Sequence, residues 1–208
     1  MIQHTEQRVG VFVDVQNMYY SAKNIYQAKV NFGKILETAI AGRKLIRAFA
    51  YVIRAEAPEE QSFFDALSKQ GFEVRSKDLQ VFYGGQKKGD WDVGIAIDAI
   101  RLAPKLDSVV LVSGDGDFIP LVEYLRYNGQ QVEVVAFSRS SSSRLMESCD
   151  EFTDLCADED KYLIKSNFSL RRLVNPMRSK NRHQPIDTAP NGQRDNGSRD
   201  NQNSLSIK

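Results

Sequence analysis

The sequence predicts an α/β fold with a central, mostly parallel sheet, and three observations lead to this prediction. Two apolar runs, residues 9–13 and 109–112, have the continuous, β-branched composition of strands that are buried on both faces. Each run ends at a polar turn that contains aspartate and leads into a helical pattern. Apolar strands and helical segments then alternate along the chain, which is typical of a parallel sheet with right-handed crossovers.

The elements follow from apolar runs and from the residues at their ends. Five strands, numbered one to five in chain order, are predicted at 9–14, 45–53, 72–75, 109–113 and 131–137. The helices predicted around them cover 16–28, 58–70, 91–102 and 118–127, and residues 31–41 either continue the first helix or form a second one. Gly42, Gly71 and Gly129 stand just past three of these helices, where glycine commonly ends a helix. Pro58 and Pro120 stand near the starts of two others, where proline is tolerated. Shorter elements complete the prediction: a strand or extended arm at 79–83, a helix at 144–148 and an edge strand at 152–155.

Aspartates follow two of the predicted central strands. The strand order 3-2-1-4-5 makes strands one and four neighbours at the switch point, where ligands bind in open α/β sheets. Asp14 then lies about one strand spacing, roughly 5 Å, from Asp115. Asp117 follows in the same turn, and Asp92 closes the group from the side. A purely structural alternative exists, because aspartate at such a junction is a common helix N-cap; it applies to Asp14 and to only one of Asp115 and Asp117.

Three aspartates compete for the side position: Asp90, Asp92 and Asp98. An apolar stripe at helical spacing is predicted to face the sheet and consists of Val93, Ala96, Ile97 and Ile100. Asp92 flanks this stripe in the first turn of the helix. Asp90 is predicted to be the N-cap, and Asp98 to lie nearly opposite the stripe and about 9 Å farther along the axis. Asp92 is therefore the predicted site residue.

Several carboxylates at such short distances predict a divalent cation. Ionised and unpaired they would repel one another, whereas a hard cation neutralises them. Ligand sets made only of oxygen favour Mg²⁺ or Mn²⁺ over zinc. The predicted ligands are Asp14, Asp92, Asp115 and Asp117. Cations held in this way polarise phosphate oxygens and lower the pKa of a bound water in phosphoester hydrolysis.

The composition divides the chain into a domain and a tail. Residues 171–208 carry eight Lys/Arg against three Asp, a net charge of +5, while the remainder carries −4. Residues 178–204 contain no aromatic residue and cannot bury enough apolar surface to fold alone. The predicted organisation is a domain at 1–160, a linker at 161–175 and a disordered basic tail at 176–208.

Two lone cysteines are typical of a reduced, cytosolic protein. No signal peptide or apolar run of membrane length is visible. We therefore expect a cytoplasmic protein without a membrane partner.

Three motifs in order resemble the signatures of NYN-domain proteins, which are PIN-like nucleases. They are Val-Phe-Val-Asp-Val-Gln-Asn at 11–17, Lys-Gly-Asp-Trp-Asp-Val at 88–93 and Ser-Gly-Asp-Gly-Asp-Phe at 113–118. The resemblance extends over residues 8–156 and is strongest to the LabA-like bacterial subgroup. It implies a PIN-like three-layer α/β/α sandwich and metal-dependent RNA cleavage. The residues that match the family's catalytic positions are Asp14, Asn17, Asp92, Asp115 and Asp117.

RNA, expected to be single-stranded, is the predicted partner. Lys87 and Lys88 lie in a Gly-bounded loop that could grip a phosphate or simply be solvated. Ser113 is a further candidate contact, which could bond a metal-bound water or only its own backbone. Three aromatic residues could stack on bases or, as we favour, pack in the core or at its rim: Tyr19, Tyr20 and Trp91.

Two function classes follow from the sequence. The first is a metal-dependent ribonuclease that uses one or two Mg²⁺ or Mn²⁺ ions. The alternative is an RNA-binding or regulatory protein that keeps the fold and the acidic cleft but turns over little or nothing. A phosphotransfer receiver is disfavoured because strand five ends in Phe-Ser-Arg at 137–139 and not in the lysine that such a protein needs. A homodimer is left open.

Overall fold

A computed structural model describes residues 4–54, 58, 60–81 and 87–165. The predicted tail at 176–208 lies outside these residues, and the predicted division into domain, linker and tail stays a prediction. Among the described residues, no helix has both the length and the apolar character to cross a membrane. The cytoplasmic location likewise stays a prediction.

A six-stranded parallel sheet forms the centre of the protein. Its strands in chain order are β1 (Arg8–Asp14), β3 (Lys44–Arg54), β4 (Glu73–Asp78), β7 (Ser108–Val112), β8 (Gln131–Ala136) and β9 (Glu151–Asp154). Their spatial order is β4-β3-β1-β7-β8-β9, and every neighbouring pair is parallel. The predicted order of the first five strands is confirmed. The structure differs in having β9 as a sixth strand beside β8, at the position predicted for the edge strand.

Four shorter strands lie outside the central sheet. β2 (Lys29–Val30) pairs antiparallel with β10 (Leu163–Ile164), and β5 (Gln80–Val81) pairs antiparallel with β6 (Lys87–Lys88). The predicted extra strand at 79–83 is therefore one arm of this second pair, and its last two residues lie outside the described part of the chain. Residues 163–164 belong to the paired structure although they fall in the predicted linker.

Seven helices are described on the two faces of the sheet. In chain order they are α1 (Val15–Tyr26), α2 (Phe32–Ile40), α3 (Glu60–Lys69), α4 (Asp92–Leu102), α5 (Ile119–Tyr127), α6 (Ser143–Ser148) and α7 (Glu159–Tyr162). The alternation of side chains along β1 separates two cores, since Val11 packs with α1, α2 and α3, whereas Phe12 packs with α4, α5 and α6. The predicted three-layer α/β/α sandwich is confirmed.

The amino-terminal edge of the sheet is closed by a buried ion pair. The Arg43 guanidinium donates to both carboxylate oxygens of Glu133, and the Ser108 hydroxyl donates to one of them at 2.7 Å. A second N–H of Arg43 reaches the carbonyl oxygen of Ala39 at 2.8 Å. Because these buried charges are paired and hydrogen-bonded, this end of the sheet is a structural anchor. The aspartates predicted as metal ligands lie at the opposite, carboxyl-terminal edge.

Helix α4 starts and faces differently from the prediction. Its N-cap is Trp91, without a side-chain capping bond, so the prediction that Asp90 caps it is wrong. Ile95 and Ala99 are buried against the sheet, while Val93, from the predicted sheet-facing stripe, is 71% exposed. Two apolar stripes share this helix, and periodicity alone did not distinguish them.

Packing of Trp91 decides which stripe faces inward. Its indole N–H donates to the carbonyl oxygen of Val52 at 2.8 Å, and its ring lies 5.3 Å from that of Tyr51. Gly94 leaves room for the indole, because a Cβ at that position would collide with the ring. In this orientation Asp98 accepts a hydrogen bond from the Tyr51 hydroxyl at 3.1 Å, so it faces the sheet instead of pointing away from it.

Candidate metal centre

The topology brings two signature segments to one edge of the sheet. β1 and β7 are parallel neighbours, with Val13 opposite Val112. Asp14 ends β1, and the loop 113–117 begins directly after β7. Asp92 reaches the same edge from the first turn of α4.

Three of the four predicted metal ligands form one compact group. Carboxylate oxygens of Asp92, Asp115 and Asp117 all lie within 4.8 Å of one another. Asp92 and Asp115 are half-buried, and Asp117 is exposed. Asp14 lies beside this group and is not a member of it. The group is called the acidic triad below.

Hydrogen bonds within the loop fix the positions of Asp115 and Asp117. The Asp115 carboxylate accepts from the backbone N–H of Asp117 at 3.0 Å and so caps the short 3₁₀ turn Gly116–Phe118. The Ser113 hydroxyl oxygen accepts from the backbone N–H of Asp115 at 3.2 Å. The capping alternative is therefore correct for Asp115, and capping is compatible with a place in the triad.

Asp14 is the most buried carboxylate of the site, with 8% of its surface exposed. One oxygen accepts from the backbone N–H of Asn17 at 3.0 Å, and the other accepts from the Ser113 hydroxyl at 3.3 Å. Asp14 thereby caps α1. Burial raises the pKa of this carboxyl to about 6 and outweighs the opposing effect of the Asn17 N–H; the negative charge of Asp92 adds to the rise. Its predicted role as a direct metal ligand stays a prediction.

Like charges also act on Asp92. Burial is the first cause of its raised pKa, and the charges of Asp115, Asp90 and Asp117 add to it. A divalent cation among the triad would relieve this repulsion, since it favours the ionised carboxylates. The donor atoms are all carboxylate oxygens, which suits Mg²⁺ or Mn²⁺ better than zinc. The residues present therefore fit the predicted cation.

Asn17 and Ser113 position other groups of the site. The Asn17 side-chain oxygen accepts from the backbone N–H of Gly114 at 3.0 Å, which ties α1 to the loop after β7. Ser113 is completely buried between Asp14 and Asp115, so the prediction that it contacts RNA is wrong. Its hydroxyl donates a hydrogen bond to the Asp14 carboxylate and accepts one from the backbone N–H of Asp115.

The serine run after β8 supports the same loop, which the sequence did not reveal. The backbone N–H of Ser142 donates to the carbonyl oxygen of Gly114 at 2.9 Å. A Cβ on Gly114 would lie 3.0 Å from the Cα of Ser141, so a larger residue there would require the backbone of the serine run to shift. Ser140 donates to the Ser21 hydroxyl of α1 at 2.8 Å. A run of serines is too common a pattern to have predicted these contacts.

The other predicted RNA contacts have different outcomes. Lys87 and Lys88 form β6, but their side chains lie outside the described part of the structure. Trp91 packs on the sheet as favoured above. Tyr19 and Tyr20 are both about half exposed, which excludes core packing and is compatible with the expected packing at the rim.

A cleft of about 320 Å³ opens beside the triad. One end is acidic and includes Asp14, Asp92 and Asp115, and one wall is the polar face of α1 with Asn17 and Tyr20. Such a cleft can hold a phosphate through a cation and a neighbouring nucleotide along the wall.

Comparisons with known proteins agree with this architecture. The model of the NYN domain family matches residues 8–156. The low amplitude and bright protein LabA of Synechococcus elongatus is 28% identical over 162 residues, which cover 71% of this chain and 83% of that protein. The uncharacterized protein MJ0482 of Methanocaldococcus jannaschii is 26% identical over 152 residues, which cover 70% of this chain but only 54% of that protein.

A solved structure has the same fold. The crystal structure of VPA0982 from Vibrio parahaemolyticus, described as a protein of unknown function, superposes with a TM-score of 0.71 at 35% identity. It covers 79% of this chain, and this chain covers all of it. The three signature segments, the sheet order and the matched range lead to one conclusion: the chain belongs to the NYN-domain family and has LabA among its relatives.

Proposed function

We propose that this protein is a metal-dependent ribonuclease that hydrolyses RNA phosphodiester bonds with Mg²⁺ or Mn²⁺. The observation that carries the proposal is the acidic triad, at the sheet edge where parallel α/β folds bind ligands. Membership of a nuclease-like family supports the same reaction class.

Each residue of the site has a distinct part in this proposal. Asp92, Asp115 and Asp117 would hold the cation, which supplies charge stabilisation at the phosphate oxygens and a more acidic water. Asn17 and Ser113 hold Gly114, Asp14 and Asp115 in place. A precise carboxylate arrangement before the ion binds reduces the cost of assembling the site.

The ribonuclease test uses a matched pair of substitutions on α4. Purified protein is incubated with single-stranded RNA in Mn²⁺ or in EDTA. We expect Asp92→Asn to reduce cleavage to the level seen in EDTA. Asp98→Asn should cleave like the wild type, because an asparagine oxygen can still accept the Tyr51 hydroxyl bond. Full activity of Asp92→Asn would contradict the proposed role of the triad.

A binding test separates the cation from turnover. Mn²⁺ should raise the melting temperature of the wild type, because an ion that binds only the folded state stabilises it. Asp117→Asn should lose most of this increase without unfolding, since Asp117 is exposed. RNA binding without cleavage in Mn²⁺ would instead support the alternative of an RNA-binding protein with little or no turnover.

A further inference from the structure

The wall of the cleft formed by α1 contains residues whose side chains are hydrogen-bonded within the protein and a tyrosine that is exposed. Asn17, Tyr20, Ser21 and Asn24 recur at helical spacing on one face of the helix and line the cleft. Asn17 and Ser21 are occupied, because they bond to Gly114 and Ser140. Tyr20 differs, since 49% of its surface is exposed.

Tyr20 lies close to the triad. It follows Asn17 by three residues, about 5 Å along the helix axis, and Asn17 itself contacts the loop of Asp115. Tyr20 lines the same cleft as Asp92 and Asp115. A nucleotide that adjoins a phosphate held at the triad can therefore reach the tyrosine ring.

The charge of the cleft points to a non-ionic contact at this position. Four aspartates line it, Asp14, Asp90, Asp92 and Asp115, and none of the described lining residues is Lys or Arg. Apart from the attraction of a bound cation, the cleft lining offers RNA amide and hydroxyl groups, the Ile25 side chain and two aromatic rings. Of these rings, Trp91 packs against Tyr51, whereas Tyr20 is about half exposed. Stacking of a base on an aromatic ring works without a cation and with every base.

Tyr19 supports the position of this ring. The two rings meet edge to face, with centroids 5.4 Å apart at 72°, and Lys23 lies 5.5 Å from the Tyr19 ring centroid. An edge-to-face pair restricts the Tyr20 side chain and leaves a face of its ring available.

We propose that Tyr20 is a stacking platform for the base next to the phosphate at the acidic triad, and that it selects single-stranded RNA. Bases in a duplex are already stacked on both sides, so only an unpaired base can take up this contact. The inference rests on the proposed function, because it assumes that the triad holds an RNA phosphate.

The test measures stacking directly. Single-stranded RNA that contains 2-aminopurine is mixed with the protein and Mg²⁺ in a stopped-flow instrument, so that the signal is recorded before cleavage. We expect quenching with the wild type and with Tyr20→Phe, which keeps a ring, and little quenching with Tyr20→Leu. The apparent affinity of Tyr20→Leu should fall about tenfold, with KM changed more than kcat.

Tyr127→Leu is the matched control. Tyr127 is 92% exposed on α5 and is not among the residues that line the cleft. This variant should quench and bind like the wild type. Melting temperatures establish that each variant is folded, and a blunt-ended duplex that contains the same sequence should bind wild type and Tyr20→Leu equally.

The outcomes separate this inference from the proposed function. If the wild type binds and cleaves RNA while Tyr20→Leu quenches and binds normally, the stacking role is wrong and the ribonuclease proposal stands. If the wild type neither binds nor cleaves any RNA, both are wrong. Loss of quenching in Tyr20→Phe as well would also overturn stacking, because the hydroxyl and not the ring would then be needed.

Discussion

Asp14 shows how one buried carboxylate combines structural and functional demands. It caps α1 through the N–H of Asn17 and takes the Ser113 hydroxyl, yet burial still raises its pKa to about 6 from 3.8. In the absence of a cation its charge therefore destabilises the folded state. A pair of hydrogen bonds does not fully replace the water that the carboxylate loses.

This raised pKa predicts a pH dependence of stability. Between pH 3.8 and about 6 the folded state keeps a proton on Asp14 that the unfolded chain releases, so rising pH lowers the stability. Above that range the ionised Asp14 lowers the free energy of unfolding by its full amount, on the order of 3 kcal/mol. In EDTA, Asp14→Asn should be more stable than the wild type at pH 8 by up to about this amount, and should lose that advantage at pH 4. Urea unfolding at both pH values measures it; an equal difference at the two pH values would contradict the assignment.

Gly114 is a second residue of the site whose size is limited by a close neighbour. A Cβ there would press on the backbone of Ser141. We expect Gly114→Ala to cost about 1–3 kcal/mol of unfolding free energy and to weaken the Mn²⁺-induced rise in melting temperature, because the triad loop must shift.

Gly33→Ala provides the control for Gly114→Ala. Gly33 lies in α2, where a Cβ would meet the side chains of Gln70 at 3.4 Å and Asn31 at 3.6 Å, both ordinary contacts, and alanine favours a helix. It should leave the stability equal or slightly higher. Equal stability of both variants in thermal unfolding would contradict the prediction, because it would mean that the serine run shifts without cost to make room for the added Cβ.

At the scale of elements, α4 is the helix whose orientation differs most from the prediction. It has one apolar stripe that is buried and one that faces solvent, and its Asp98 accepts a hydrogen bond from the Tyr51 hydroxyl of the sheet. The buried stripe also places Asp92 toward β1 and β7. Asp92 lies beside Asp115 and Asp117 as expected, although the face of the helix was predicted wrongly, because its place in the first turn at the carboxyl edge was sufficient.

A pair of isoleucines on α4 tests this orientation. Ile95 is fully buried and Ile97 is largely exposed. Ile95→Ala should cost about 2–5 kcal/mol, whereas Ile97→Ala should change the stability by less than about 1 kcal/mol. Denaturant unfolding of the two variants gives the comparison, and the reverse ranking would mean that the predicted stripe faces the sheet after all.

At the scale of the whole molecule, the parallel sheet gathers residues that are far apart in sequence. Asp14 and Ser113 are separated by 99 positions and still share a hydrogen bond. The same topology puts the buried Arg43–Glu133 pair at the other end of the strands. The buried ion pair and the carboxylates of the candidate metal site therefore occupy opposite edges of one sheet.

The basic tail gives a prediction at this scale. Residues 176–208 carry six Lys/Arg against three Asp. Deletion of residues 176–208 should leave the melting temperature unchanged and make RNA affinity less dependent on salt, because fewer phosphates are neutralised. A shuffled tail of the same composition should restore the salt dependence measured by titration. Loss of folding, or no change in the salt slope, would contradict the prediction.

The sequence by itself determined the fold class, the order of the first five strands and the edge of the sheet at which the aspartates gather. It predicted four ligands, of which the structure brings three into one compact group. Apolar runs that end in aspartate specify buried parallel strands and polar edges, and parallel strands bring such edges together. These features depend on local pattern and on topology, which a single sequence contains.

Only the tertiary structure decided which stripe of α4 is buried, what Ser113 and Asn17 bond to, and why the serine run adjoins Gly114. Both stripes of α4 are apolar, so the fit of Trp91 against Tyr51 and Val52 had to choose between them. The exposure of Tyr20 was decided in the same way, because nothing in the local pattern of α1 states which of its aromatic rings the neighbouring elements leave uncovered. Burial is a property of packed neighbours, and those neighbours come from distant parts of the chain.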